Sequence, residues 1–214
     1  MFSFQELTDK LEKIEARIQQ GEGGFPSQKI MAPMARLSAE EHLRSGQIRP
    51  RLGAVLALLY PDKDNFYLCM MKRPEYQGVH SGQISFPGGK KEEGDPDLLH
   101  TAIREACEEV NIARTDLLLT APLTQVYIPP SNFLVSPYLA LSDHKPEFAA
   151  DAIEVEAILH LPVEELFEEE RIESGNIPTS IGIIKNYPYF NFSIGHVWGA
   201  TAMITSEIRT LLMR

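Results

Sequence analysis

An α/β fold of the α+β kind, a mixed central sheet flanked by helices, follows from three features of the sequence. Apolar runs of strand length occur in pairs joined by turn residues, as at 52–60 and 66–71 around Pro61-Asp62-Lys63-Asp64-Asn65. Long helical periods recur at only a few places, chiefly near residues 96–110 and 197–212. Strands and helices are mixed in hairpins rather than strictly alternated, which suits a mixed sheet with helices packed on it.

Taken in order, Ser3 and Glu6 form a capping-box pattern ahead of Phe4, Leu7, Leu11, Ile14 and Ile18, which fall three and four apart. This predicts an N-terminal helix, stopped by Gly21, Gly23 and Gly24. Its apolar stripe is expected on the chain's own core, and a second subunit, hence a homodimer, is the other way to cover it. Residues 25–50 carry Pro26, Pro33 and Pro50 without a sustained period and read as a connector with one turn of helix near 39–43. The chain therefore divides into an N-terminal helix with its connector, 1–50, and a main domain, 51–214. Within the domain the pattern predicts strands at 52–60, 66–71 and 83–86, a helix at 96–110, and strands at 117–127, 133–140 and 153–159. A short acidic helix at 163–169, a second hairpin at 181–184 and 187–192, and a helix at 197–212 complete it. For the 96–110 helix, Asp95 reads as N-cap, Pro96 suits the first turn, and Asn111 can end the helix in the left-handed conformation.

Charge narrows the function. Twenty Lys and Arg against 30 Asp and Glu give a net −10, which disfavours a nucleic-acid binder. A small anionic substrate remains compatible if a bound metal reverses the local field. Cys69 and Cys107 lack CxxC or Cys/His spacing, so neither a zinc site nor a disulfide is expected, and both read as small buried hydrophobes. The N-terminus shows no basic-then-apolar leader and no run approaches 18 apolar residues, so the expectation is a cytoplasmic protein with no membrane partner.

The chemistry lies in the 88–112 stretch. Leu99, Ala102, Ile103, Ala106 and Val110 make the core-facing stripe of the helix, and Glu105, Glu108 and Glu109 fall on an arc of about 100° beside it. Like charges at this spacing destabilise a helix by about 0.2–0.5 kcal/mol per pair, and Arg104 can relieve one through Glu108. The remaining negative charge asks for a cation, and carboxylate oxygens suit Mg²⁺ or Mn²⁺. A solvated acidic face is the alternative. The Gly88-Gly89 turn just upstream favours the metal, because bare backbone can bring a carbonyl to it or admit a phosphate.

Gly89, five residues, Asp95, then Arg104-Glu105 and Glu108-Glu109 resemble the Nudix box, Gly-x5-Glu-x7-Arg-Glu-hydrophobic-x-Glu-Glu-x-Gly-hydrophobic. Asp95 stands for the first Glu, eight residues separate it from Arg104, Ala106 takes the bulky apolar position, and Asn111 replaces the last Gly. The extra residue and the Asp resemble the coenzyme A pyrophosphatase branch. So do Lys72-Arg73-Pro74, the run from His80 to Gly89, and patches at Tyr127, 130–133, Glu154-Val155 and 198–202. Gly78 departs from that branch, where a basic residue is expected. The resemblance covers about 51–213.

It implies a Nudix-like α/β/α sandwich and metal-dependent hydrolysis of the pyrophosphate bond in a nucleoside diphosphate derivative. The leading substrate is coenzyme A or acyl-CoA, cut to 3′,5′-ADP and (acyl-)4′-phosphopantetheine. ADP-ribose, a dinucleotide or another such derivative is the alternative, and an inactive nucleotide-binding module a third reading. By position, Glu105 and Glu109 would be the principal metal ligands, with the Gly88 carbonyl, and Glu108 a ligand or the base. Arg104 would orient the glutamates by ion pairing, with Asp95 a further candidate partner. Lys72 and Arg73 are candidates to hold substrate phosphates or are strand-end cations with no role. His80 and Gln83 are candidate substrate contacts, with a structural role the other reading of His80. Phe86 and Tyr127 read first as core aromatics, with flanking an adenine the other reading. Glu154 is a candidate extra base or an exposed strand glutamate. Trp198 reads as core, and the acid run Glu164-Glu165 with Glu168-Glu169-Glu170 as a solvated face.

Overall fold

Apolar side chains along the first domain strand are buried on both of its faces, which puts that strand in the middle of the sheet. The computed structural model describes residues 2–33, 37–44, 49–75, 81–179 and 182–213. Helices α1 (Phe4–Glu12), α2 (Ile14–Gln19), α3 (Gly24–Lys29) and α4 (Ala39–Arg44) precede the sheet. Strand β1 (Arg51–Asp62) then pairs antiparallel with β2 (Asn65–Lys72) over four residue pairs only, Leu59↔Leu68 to Asp62↔Asn65. Beyond Leu59 the two strands part. Strand β3 (Ile84–Ser85) takes the freed edge of β2, and β4 (Gly88–Lys90) takes that of β1 at Gly53–Val55.

Helix α5 (Leu98–Val110) follows, then β5 (Leu119–Pro122), β6 (Val126–Ile128) and β7 (Phe133–Leu141). The pairing of β7 with β1 is parallel, from Arg51↔Phe133 to Leu59↔Leu141, so the sheet is mixed as expected. Strand β8 (Ala157–Pro162) closes on the outer edge of β2. A second sheet of three antiparallel strands, β9 (Ile172–Thr179), β10 (Gly182–Phe192) and β11 (Gly195–Trp198), leads into α6 (Gly199–Met213).

Alternation along β1 and β2 builds two cores. Ala57, Leu59, Leu68 and Met70 face a cluster that includes Leu7, Leu11, Ile14, Ile204 and Leu211 from the N-terminal helices and α6. Leu56, Leu58, Tyr60, Cys69 and Met71 face the other way, onto Ala102, Ala106 and Val110 of α5. Helices thus cover both faces of the sheet. The stripe of α1 is spent on the chain's own core. Among the described residues no helix is long and apolar enough to cross a membrane.

Several elements differ from the sequence pattern. Asp97, not Asp95, caps α5, its carboxylate accepting from the His100 amide at 2.7 Å, because Asp95 is bound to Arg104. Asn111 does end the helix at φ 60°. The 117–127 run breaks into β5 and β6, and residues 151–156 form a turn before β8 rather than its start. The second hairpin pairs β9 with one long β10. Strand β9 escapes notice because its Gly175 and Pro178 oppose a strand reading, which an edge position tolerates. The acid run forms two 3-10 turns and is not wholly solvated. Glu165 is buried, accepts from the Ser193 amide at 2.9 Å and pairs with Arg171, while Glu169 pairs with Arg209.

One buried carboxylate ties the N-terminal segment down. Glu207 of α6, fully buried, accepts from the Gly24 amide at 2.9 Å, from Gln28 Nε2 at 2.8 Å and from the Thr124 amide at 3.3 Å. It joins α3, α6 and the β5–β6 connection. Glu207→Ala removes the acceptor of the Gly24 and Thr124 amides, while Gln28 Nε2 keeps the Thr124 carbonyl at 2.8 Å, and should cost about 1–3 kcal/mol, read as a lower urea midpoint. Glu207→Gln, which keeps one acceptor oxygen, should lose less.

Candidate active site

The parting of β1 from β2 opens a cleft of about 760 Å³. At one end Gly88 and Gly89 form its floor, and α5 brings Glu105 and Glu109 onto them. Gly88, at φ +151°, donates its amide to Glu109 Oε2 at 2.7 Å. A Cβ there would lie 2.3 Å from the Ala54 carbonyl oxygen. At Gly89 a Cβ would lie 2.4 Å from the carboxyl carbon of Glu105. A side chain at Gly88 would collide with the backbone of β1, and one at Gly89 would displace the Glu105 carboxylate from the strand.

Glu109 is 2% exposed, and burial is the main cause that pushes its carboxyl up to about 7. Arg73 and the Gly88 amide oppose the shift, while the charges of Glu105 and Glu154 add to it. Burial likewise raises Glu105, against the pull of Arg104. Arg73 sits 3.5 Å from Glu109 Oε1 and donates to the Gly88 carbonyl at 3.3 Å.

Arg104 fixes the outer side of the helix. It reaches Asp95 at 3.1 Å, Glu105 at 2.9 Å, Glu108 at 2.9 Å and the Lys90 carbonyl at 3.1 Å. The Asp95 carboxylate also accepts from Thr101 Oγ1 and the Glu92 amide, and its ion pair with Arg104 is the largest cause holding its pKa well below the usual range. The position read as an N-cap is therefore an anchor for Arg104.

The three glutamates do not share one environment. Glu109 borders the core, Glu105 is largely covered, and the Glu108 side chain is 59% exposed, bound to Arg104 and absent from the cleft lining. At about 100° per residue, Glu108 lies a further ~100° round from Glu109, on the solvent side of the arc. Glu154 does line the cleft. Its turn hangs on α5, since the Asp151 amide donates to the Glu109 carbonyl at 2.9 Å and Asp151 Oδ1 accepts from the Glu154 amide at 2.9 Å.

Of the remaining candidates, Arg73, Gln83 and Phe86 line the cleft. Lys72 pairs with Glu156 at 2.6 Å and is not in the lining. Tyr127 is buried outside the lining, its hydroxyl donating to Asn132 at 3.0 Å and its ring 4.8 Å from that of His42. His80 and Gly78 lie outside the described residues. Trp198, read as core, is only partly buried and lines the cleft, ring to ring with Tyr187. Ser85 was not singled out by spacing. It lines the cleft, and its Oγ is buried without a hydrogen-bond partner among the described residues.

The NUDIX domain family model matches residues 50–180. The chain belongs to the Nudix family. It is 29% identical over 188 residues to the mitochondrial coenzyme A diphosphatase NUDT8 of Homo sapiens, covering 82% of this chain and 80% of that protein. To the chloroplastic Nudix hydrolase 22 of Arabidopsis thaliana it is 28% identical over 180 residues, 81% of this chain and 59% of that one. Among solved structures, a MutT/nudix family protein from Enterococcus faecalis superposes with a TM-score of 0.50 at 16% identity, covering 83% of this chain and 69% of that chain, a likeness of fold. The chain is thus a Nudix pyrophosphatase with the fold its box implies.

Nudix hydrolases need divalent metal ions, and the residues present fit one. Among the described residues no three His, Cys, Asp or Glu side chains form a ready-made cage. Magnesium-type sites, however, use one or two carboxylates and fill their other positions with water and substrate phosphate. Glu105, Glu109 and the Gly88 carbonyl are an all-oxygen set of that kind, and they would hold the ion at the floor of the cleft.

A buried carboxyl raised toward neutrality has a stability signature. Its native form keeps a proton that the unfolded chain gives up, so without metal its contribution falls as pH rises from the ordinary 4.5 to about 7 and is constant above. In EDTA, Glu109→Gln should gain thermal stability relative to the parent across that window and hold a constant gain beyond it. Parallel melting curves at every pH would show that the carboxyl is not buried as described.

Proposed function

We propose that this Nudix pyrophosphatase hydrolyses coenzyme A or acyl-CoA, releasing 3′,5′-ADP and (acyl-)4′-phosphopantetheine, with Mg²⁺ or Mn²⁺ as cofactor. The observation that carries the reading is the similarity to a coenzyme A diphosphatase over four-fifths of both chains. The cleft supports it, since about 760 Å³ lined by both carboxylates and apolar side chains has room for a substrate of that size.

The cation supplies charge neutralisation for the pyrophosphate oxygens, without which an oxygen nucleophile is repelled. The chain supplies the rest. Arg73, beside Glu109 and facing the cleft, meets a substrate phosphate oxygen. The Gly88 amide and Arg104 fix the directions of Glu109 and Glu105, so little reorganisation is needed when charge develops. For the proton of the attacking water we favour Glu154 over Glu108. Glu154 lines the cleft close enough for its charge to raise both Glu105 and Glu109, while Glu108 is held outward by Arg104. Departure of the phosphopantetheine half as a phosphomonoester completes the reaction.

The test is a panel of coenzyme A, acetyl-CoA, ADP-ribose and diadenosine polyphosphates with each metal, products resolved by mass. Formation of 3′,5′-ADP is expected; cleavage of ADP-ribose with coenzyme A untouched would move the assignment to another nucleoside diphosphate derivative. In the same assay Glu154→Gln should lower kcat by about 10²–10⁴ with Mn²⁺ affinity little changed, whereas Glu108→Gln should lower it far less. The reverse order would give the proton to Glu108.

A further inference from the structure

Part of the apolar lining of the cleft comes from segments that lie outside the span matched by the family model. Leu37 comes from the N-terminal connector; Ile184, Trp198 and Ile204 come from the second sheet and α6. Ile128 and Phe133 of the domain complete that side. Leu37 and Ile184 remain 48% and 36% exposed, two large apolar side chains at the rim of a cleft whose other end is ionic. Apolar surface that is continuous with a catalytic site and left open to water fits an apolar part of the substrate.

We infer that this wall seats an alkyl chain carried on the non-nucleotide half of the substrate, making Leu37, Ile184 and Trp198 determinants of a preference for long acyl thioesters over the free thiol. The inference rests on the coenzyme A reading for the identity of the chain's carrier, and on the cleft for its place. The lining also carries polar side chains, Gln83, Ser85 and Tyr187 among them, and the six named above belong to its apolar part. An alkyl chain needs no hydrogen-bond partner there, and its transfer from water onto apolar surface is favourable. No bond changes at this seat, so it acts on binding and leaves the pyrophosphate chemistry as it is.

Trp198 is the one tryptophan of the chain, so its emission reports occupancy of the wall directly. The full-length protein with Mg²⁺ would be titrated with 4′-phosphopantetheine and its S-butyl and S-octyl thioethers, which contain no pyrophosphate and are not hydrolysed. A blue shift of Trp198 emission is expected, with Kd falling on the order of tenfold or more from the unsubstituted compound to the octyl one. The Leu37→Ser/Ile184→Ser variant, altered only at exposed side chains, should abolish that dependence and leave the affinity for the unsubstituted compound within about twofold. In hydrolysis, the ratio of kcat/KM for octanoyl-CoA over coenzyme A should fall toward one in the same variant. An emission and a Kd indifferent to chain length, or an equal loss for all ligands in the variant, overturns the alkyl seat. Absence of coenzyme A hydrolysis beside a chain-length response in Trp198 would instead overturn the coenzyme A reading and keep the seat.

Discussion

Everything at the carboxylate end of the cleft depends on how closely a helix can approach a strand. Glu105 reaches the backbone of β4 because Gly89 presents nothing but main chain, a Cβ there falling 2.4 Å from its carboxyl carbon, while the bare Gly88 lets β4 lie directly against Ala54 and Val55 of β1. The contact is steric first and electrostatic second. Once the carboxylates are brought in, Glu109 takes the Gly88 amide, and the carbonyl of the same glycine stays available beside Arg73. The short pairing of β1 with β2 makes room for it. Had the hairpin continued past Leu59, β3 and β4 would have no edge to join and the glycine floor would not exist.

Charge at this end is balanced unevenly. Arg104 serves Asp95, Glu105 and Glu108 together, on the side of α5 that water reaches. Glu109, the most buried of these acids, has the more distant Arg73 as its one cationic partner among the described residues. The outcome is a deep carboxyl raised by burial and a peripheral one, Asp95, held ionised. A divalent cation is the natural completion of such an arrangement, since it removes the repulsion between Glu105 and Glu109 that neither arginine cancels.

How much of this the sequence discloses varies with the range of the interaction. The α5 stripe, its left-handed Asn111 end, the glycine turn and the central strands are local patterns and were legible. At Asp95 capping and ion pairing both suit a short acid before a helix, and the pair with Arg104 that the box resemblance implies takes the carboxylate and leaves the cap to Asp97. The acid run after β8 looked solvated because Arg171 and Arg209, which pair with it, are separated from it by turns or by 40 residues. The angular position of Glu108 follows from 100° per residue, and the shared arc conceals that one of its ends faces water. Trp198 as part of the cleft was not legible, since a partly buried aromatic before a helix has the same local pattern in a core as in a wall.

The two flanking segments that complete the cleft are held in common by Glu207. Its carboxylate fixes α3 through Gly24 and Gln28, and within eight residues of Lys29 the chain supplies Leu37 to the rim. Glu207 itself stands on α6, one turn beyond Ile204 on the same wall. The Thr124 amide ties both to the strand connection beside β6, which ends at Ile128. A buried ion with three amide-type donors costs little net stability once satisfied, but it allows few alternative arrangements. The position of one flank therefore constrains the other. A change that loosens the N-terminal segment acts on the far wall of the cleft before it reaches the glutamates, which are anchored separately by the glycine turn and Arg104.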